Sequence, residues 1–434
     1  MYTKLKRIFR QIYFNSNELT EDEYKRGQKK LILSGLTANM ISLLTTGTFL
    51  VGYLSYLGAS ERYIAIIGAI PQLGCILQMF SPYIFEKLKH RKLLICICCF
   101  LFRFSVGTII FVPYVLHKKV SQLIVIMIIY SFAYLAAGFV TPGLNNWNMS
   151  ITPVRGRGRF LAIKDITSMF GVAAASLMIG RMLDYYKVNN KYLTGFTIIF
   201  LLALVISILD FMLLSGIGEP INIQQVHNSS LFQMISRPLK DLHFRKVIFF
   251  LSIWYFAVHF SVSFISIYMV NSLELSYSFI SVVGVLGNIF GMVSIYLWGS
   301  LADKTSWNFL LKTSGIIIAF CYMGWAFVTV NNALILVPVF QILLTGSNGA
   351  FNMAAVNIQY AYGPESGKTA YLGVTQSIAY VTGFFGGILG AAASQLLKNL
   401  RIEWKVVSIG NIQILFLITS LILFTALGSI KIKK

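Results

Sequence analysis

Three ionisable residues stand inside long apolar runs, where a charge is costly and marks a functional candidate. Arg103 lies in the run 93–116, Asp210 in 194–216 and His259 in 246–271. Arg103 falls about ten residues into its run, ~15 Å deep at 1.5 Å per residue. A guanidinium there would clamp an anion or a carboxylate, or serve a charge relay. Equally, it would form an ion pair between supporting helices, with Asp210 as the available partner. His259, with an ordinary pKa near neutrality, suits proton or substrate handling, or a hydrogen-bonded place in the core. Lys164-Asp165 opens a further run, 160–183; Asp165 is a titratable candidate for proton coupling or for pairing with a loop arginine.

Uncharged polar groups are denser than lipid-facing helices tolerate. Asn39, Thr45 and Thr46 fall in 31–57, and Asn145, Asn146 and Asn148, with Trp147 among them, close 121–149. Trp254 and Tyr255 precede His259, and Asn348, Asn352 and Asn357 fall in 333–359. Amides, hydroxyls and aromatic faces of this kind suit a substrate path. The alternative is glue between helices. Cys96, Cys98 and Cys99 cluster without a histidine or carboxylate neighbour and read as small packing residues. No metal site is expected, and no Walker-type loop is present to power the protein with a nucleotide.

The elements that must hold these residues follow from composition. The chain has 434 residues, 56% of them hydrophobic and only 12% charged. With a mean hydropathy of +0.72, soluble, disordered and disulfide-scaffold classes are excluded. Helices of ~20 apolar residues cross a bilayer, and twelve such runs are present: 31–57, 63–85, 93–116, 121–149, 160–183, 194–216, 246–271, 277–300, 308–329, 333–359, 371–397 and 409–430. The chain is therefore expected to be an all-α polytopic membrane protein. Residues 1–30 are too polar for a cleavable signal. Leu5, Ile8, Phe9 and Ile12 at helical spacing, among lysines and arginines, predict a short amphipathic leader on an anionic membrane surface. Thr20 with Glu23 predicts a capping box starting the first long helix.

The net charge of +21 would suggest nucleic acid in a soluble protein. Here its distribution explains it. With both termini in the cytoplasm, inside loops outnumber outside loops in Lys and Arg by about three to one. Both termini are therefore expected on the cytoplasmic side of the cell membrane, with no nucleic-acid partner. Pro71, Pro113, Pro142 and Pro338 within spans, and the glycines of 383–390, predict kinks and close helix packing.

The polar stretch 217–245 separates two sets of six spans, 31–216 and 246–434 with its short basic tail, the second expected to repeat the first. Two echoes support duplication. Glu86-Lys87 after the second span matches Asp303-Lys304 after the eighth. The loop 153–159, with Arg155, Arg157 and Arg159, matches 363–368 after the tenth. A carboxylate with adjacent cations at a helix end can pair across to another bundle and hold one face shut. Glu86, Lys87, Arg91, Arg157, Arg159, Asp303 and Lys304 are thus candidates for a cytoplasmic gate.

Gly299-Ser300-Leu301-Ala302-Asp303-Lys304 resembles the cytoplasmic loop motif of the major facilitator superfamily, and residues 81–92 resemble a degenerate first copy. The resemblance covers the whole chain in span count, orientation and halves. It implies two pseudo-symmetric six-helix bundles rocking about a central cavity lined by spans 1, 4, 7 and 10. On that frame Asn39, Thr45, Thr46, Trp254, Tyr255, His259, Asn348 and Asn352 become the candidate substrate cavity. The family's drug–proton antiporters carry an arginine in span four and a Gly-Pro pair in span five. Here 134–138 has no arginine and 171–180 no proline. Sugar-porter signatures are not evident either.

The function implied is secondary active transport of a small organic solute, without a cofactor and coupled to a proton or cation gradient. The protein is expected to act as a monomer in the bilayer. A cavity of amides and aromatics with few carboxylates favours a neutral, amphipathic or anionic solute. Export of a metabolite, peptide-like compound or drug is preferred over uptake. A lipid or lipid-linked substrate is the near alternative, and a non-transporting sensor on the same scaffold the further one. An enzyme is not expected, because no clustered acid, base or metal set is present.

Overall fold

The computed structural model describes residues 13–14, 19–88, 90–153, 155–220, 231–363, 368–404 and 407–429. The apolar positions of the expected leader, Leu5 to Ile12, and the basic tail 431–434 lie outside them. Eleven helices among the described residues are long and apolar enough to cross a membrane. They are α1 Glu21–Tyr56, α2 Glu61–Met79, α3 Lys92–Val115, α4 Lys119–Ile151, α5 Arg157–Val188, α6 Tyr192–Ser215, α7 Phe244–Ser272, α8 Tyr277–Ala302, α10 Ala333–Tyr362, α11 Tyr371–Leu396 and α12 Asn411–Gly428. The ninth expected span is α9, Trp307–Trp325. It is a less apolar helix with Leu310, Ser314, Ile318, Tyr322 and Trp325 buried on one face. The expectation of twelve helices holds. One departure is a short antiparallel ribbon between α11 and α12, pairing Ile402–Trp404 with Val407–Ile409.

Local chemistry sets the helix ends. Thr20 and Glu23 form the expected capping box: the Thr20 hydroxyl accepts from the Glu23 backbone N–H, and the Glu23 carboxylate accepts from that of Thr20 at 2.8 Å. Ser276 and Ser306 cap α8 and α9 in the ordinary way. Gly156, at φ +77°, turns the chain into α5. Past Pro71, α2 tightens to a 3₁₀ turn at Ile76–Met79. The break in α1 has no counterpart among the expectations. The helix stops at Thr45, Thr46 is extended, and Gly47 takes φ +56° before the helix resumes.

The contacts divide the chain into two units, residues 1–53 with 74–229, and 54–73 with 230–434. In the first, α1 packs on α5 and α6, and α3 on α4 and α6. In the second, α7 packs on α11 and α12, and α9 on α10 and α12. Each helix of the second set thus repeats the pairing of its counterpart six spans earlier. This is the pattern a duplicated six-helix unit produces.

The division differs from the expected halves at 54–73, and small residues are the reason. Gly68 lies against Ser263 of α7, and Ala69 against Gly387 of α11. From Gly74 onward α2 packs in the first unit, against α4. There a methyl group on Gly74 would lie 2.1 Å from the Tyr134 carbonyl oxygen, and one on Gly138 1.8 Å from that of Gly74. In the second unit Gly386 and Gly390 bring α11 onto the Phe256 and Phe260 carbonyls of α7 in the same way. Such backbone-to-backbone approach is how helices associate where lipid competes equally for large apolar side chains.

Candidate functional site

In the second unit a polar cluster forms around His259, half-buried at the middle of α7. The Gln72 side chain, on the α2 segment of this unit, places its amide nitrogen 3.2 Å from His259 Nδ1. An amide nitrogen donates, so Nδ1 accepts, and the proton of the neutral ring sits on Nε2. The Gln72 carbonyl oxygen is buried and has no hydrogen-bond partner among the described residues. The Tyr255 ring lies nearly parallel to the imidazole at 6.1 Å, and the Tyr380 ring meets Tyr255 edge-on at 5.9 Å. Gly383 of α11 leaves the room the histidine needs: a methyl group there would lie 2.7 Å from its Cδ2. The cluster presents a ring N–H donor, an unsatisfied carbonyl acceptor, two phenols and aromatic faces. That set can hold a neutral solute with hydrogen-bonding groups and a flat or apolar body.

The other cavity candidates separate into two groups. Trp254 is 3% exposed and stacks on Phe351 at 3.9 Å and 13°. It packs the interior of the second unit, against Phe351. Two neighbours on one helix point about 100° apart, so Trp254 packs on Phe351 while Tyr255 meets His259. Thr45 is likewise buried, its hydroxyl donating to the Ile41 carbonyl at 2.7 Å. Thr46 donates to the Ser42 carbonyl, at the break in α1. Asn39 and Asn352 are exposed in their units and Asn348 half-buried. Asn145 and Asn146 are exposed, whereas the next residue, Trp147, is buried, its indole donating to the Gly218 carbonyl at 3.2 Å.

The first unit joins Arg103 and Asp210. The guanidinium donates to Asp210 Oδ2, while Oδ1 accepts from Ser34 at 2.8 Å and Thr37 at 2.7 Å. Asp210 is 1% and Arg103 7% exposed. Three helices, α1, α3 and α6, are tied through one carboxylate whose acceptor sites are well used. The structure places Asp165 on an exposed face of α5. No ion pair involves it among the described residues.

The gate candidates are dispersed. Arg157 and Arg159 begin α5 and are exposed, as is Lys304 beyond α8. The side chains of Glu86, Lys87 and Asp303 lie outside the described ones. Arg91 is 3% exposed and belongs to the first unit, its guanidinium 3.7 Å from Glu219. The Glu219 carboxylate also accepts from the backbone N–H groups of Arg91 at 2.7 Å and Lys92 at 3.3 Å, closing the start of α3. Burial draws the Arg91 guanidinium below the usual arginine range, and Glu219 opposes that. Among the described residues no group of His, Cys, Asp and Glu could hold a metal ion, and the five cysteines are free.

Sequence reading had not singled out Gln72, Tyr380, Ser34, Thr37 or Glu219 as site residues. Gln72 carried a signal: it is an amide after a mid-span proline in an apolar run. The hydroxyls and Glu219 carried none, since only the packing of distant helices brings them to their partners.

The fold and this geometry can be set beside known proteins. The sequence profile of the Major Facilitator Superfamily matches residues 31–391. Comparison with curated proteins finds no match. Among solved structures, the nucleoside transporter NupG superposes with a TM-score of 0.71 at 13% identity, covering 94% of this chain and 100% of that one. A D-xylose–proton symporter gives 0.66 at 15%, covering 92% and 96%. A bacterial homologue of the iron transporter ferroportin, in an inward-facing state, gives 0.69 at 15%, covering 93% and 97%. At such identities the likeness is one of fold. The profile match spans most of the chain, and the chain belongs to the major facilitator superfamily.

Proposed function

We propose that this secondary transporter carries a neutral, amphipathic organic solute with both donor and acceptor groups, and binds it at the His259–Gln72–Tyr255–Tyr380 cluster. The buried carbonyl of Gln72, without a hydrogen-bond partner among the described residues while its amide nitrogen meets His259, carries the reading. A buried acceptor without a partner costs about 1–3 kcal/mol, which a bound donor recovers. The transporters of known structure named above move solutes as different as nucleosides and xylose, so the fold alone favours none.

The proposed direction is export. An amphipathic solute enters through the bilayer unaided and needs a carrier chiefly to leave. The proposed driving force is a proton or cation gradient, with His259 the titratable member of the cluster and no cofactor assigned. Rocking would expose the cluster to each side in turn, with Asp303-Lys304 and Glu86-Lys87 as the proposed gate.

Intracellular levels of a broad metabolite and drug panel, measured by mass spectrometry in cells expressing wild type, His259→Phe or Gln72→Leu, test this reading. Both variants keep apolar volume and remove the hydrogen-bonding groups. Solutes depleted by wild type and restored at least tenfold toward control levels by either variant are expected. Solutes enriched by wild type would reverse the direction. Wild-type transport unchanged in both variants would remove the cluster from the substrate path. An ionophore that collapses the proton gradient is expected to abolish the difference; persistence until a sodium gradient is removed would assign sodium.

A further inference from the structure

The first unit holds a second polar site, where α5 packs on α1. Lys164 falls seven residues into α5, about 10 Å along the helix at 1.5 Å per residue. It is half-buried, and its side chain lies on the face that meets α1. A methyl group on Gly35 would stand 2.9 Å from Lys164 Cε and 3.4 Å from both its Cγ and Ser168 Oγ. An ammonium stem and a hydroxyl, one turn apart on α5, thus border one small notch. The notch exists because α1 carries a glycine there. One turn beyond Gly35, on the same face of α1, stands the exposed amide of Asn39.

Among the described residues none of these three groups is engaged. No ion pair or hydrogen bond involves the Lys164 ammonium or the Asn39 amide. Ser168 is 4% exposed, and its buried Oγ makes no hydrogen bond. Ser207 and Ser252 donate to the carbonyl four residues back, the ordinary refuge of a serine within a helix, and Ser168 does not. The carboxylates of this region do not serve Lys164. Asp210 accepts from Arg103, Ser34 and Thr37. Asp165, the next residue on α5, points about 100° away from Lys164 and is exposed. An ammonium within a span is costly without a counter-charge, and a buried hydroxyl is costly without a partner.

We propose that this notch binds the carboxylate of an organic acid, with the Lys164 ammonium meeting its charge and Ser168 and Asn39 donating to its oxygens. One cation with two neutral donors matches one negative charge spread over two oxygens. A phosphate dianion would keep a second charge unmet, and chloride would leave the directional donors without matched acceptors. The four-carbon lysine stem that lies beside the Ser168 hydroxyl is flexible, so its swing toward the anion uncovers that hydroxyl. The site lies wholly in the first unit and shares no residue with the His259 cluster, so it stands independently of the substrate reading above.

The purified full chain in neutral detergent provides the test, read by thermal unfolding. The probes are hexanoate, its uncharged analogue hexanamide and, at matched ionic strength, chloride. Hexanoate is expected to raise the unfolding midpoint where hexanamide and chloride do not. Lys164→Gln is expected to weaken that effect at least tenfold in concentration. Asn39→Leu, at an exposed position, is expected to weaken it severalfold and keeps the test independent of any folding defect at Lys164. His259→Phe is expected to respond as wild type does, which separates this site from the solute cluster. In the cellular solute panel, acids that Lys164→Gln alone ceases to move assign the carboxylate to the carried solute. An unchanged set of solutes, with hexanoate binding lost, assigns it to a separately bound acid. The proposal is overturned if hexanoate stabilises no more than hexanamide and chloride do, or if the wild type and both the Lys164 and Asn39 variants respond alike.

Discussion

Asp210 lies in the interior of the first unit because three donors converge on it from two other helices. Removing its charge strands Arg103: Asp210→Asn is expected to cost about 3–5 kcal/mol, the usual result of breaking a buried pair from one side. The double variant Arg103→Met/Asp210→Leu is expected to recover most of that, since an apolar pair of similar volume is often no less stable. Thermal unfolding in detergent reads both. Transport by the recovered double variant separates the roles: retained flux makes the network a brace, and lost flux in a stable protein makes it part of the coupling. The adjacent aromatics Trp254 and Tyr255 divide in the same manner. Trp254→Ala empties a stacked core position and is expected to destabilise by about 3–5 kcal/mol. Tyr255→Leu is expected to leave the unfolding midpoint within a few degrees and to reduce transport at least fivefold. Equal loss of stability in the two variants would return Tyr255 to the core.

At the scale of elements, glycines decide where helices bend and how closely they meet. Gly47 sits at φ +56° where α1 is broken. An L side chain there is disfavoured by roughly 1–2 kcal/mol, so Gly47→Ala is expected to lower the unfolding midpoint or straighten α1, although nothing crowds the added methyl. Gly390 is the opposite case: its conformation is ordinary, but a methyl would lie 1.9 Å from the Phe260 carbonyl oxygen. Gly390→Ala must therefore push α11 from α7 and is expected to cost more than Gly47→Ala. A reversed order in one unfolding series would contradict this packing account. The tightened turn beyond Pro71 and the close contacts of the 383–390 glycines were legible from residue type alone. The break at Gly47 was not, because a lone glycine in an apolar span looks the same whether it packs or bends.

For the whole molecule, the lysines and arginines predict both termini on the cytoplasmic side. In a background with the five native cysteines replaced, Lys118→Cys is expected to react with an impermeant maleimide added to intact cells. Arg157→Cys is expected to react only after permeabilisation. The reverse pattern would invert the topology. Span count, the polar middle stretch and the twofold repeat were all readable, since hydrocarbon accepts only helices of sufficient length and apolarity and duplication leaves matching loops. The assignment of 54–73 to the second unit was not readable. It depends on which neighbours Gly68 and Ala69 meet, and their small size permits close packing without naming a partner.

What the sequence by itself determined is what the bilayer enforces locally: helices, their number, and the presence of charges too costly to be incidental. Arg103, Asp210 and His259 stood out on those grounds. Only the tertiary structure decided what each charge meets. It joined Arg103 directly to Asp210, brought Ser34 and Thr37 to the same carboxylate, and set Gln72 beside His259. It also turned Trp254 into the core and left Tyr255 at the cluster. The physical reason is that burial and hydrogen bonding within a span depend on the face a residue presents. That face is chosen by helix packing between segments a hundred or more residues apart.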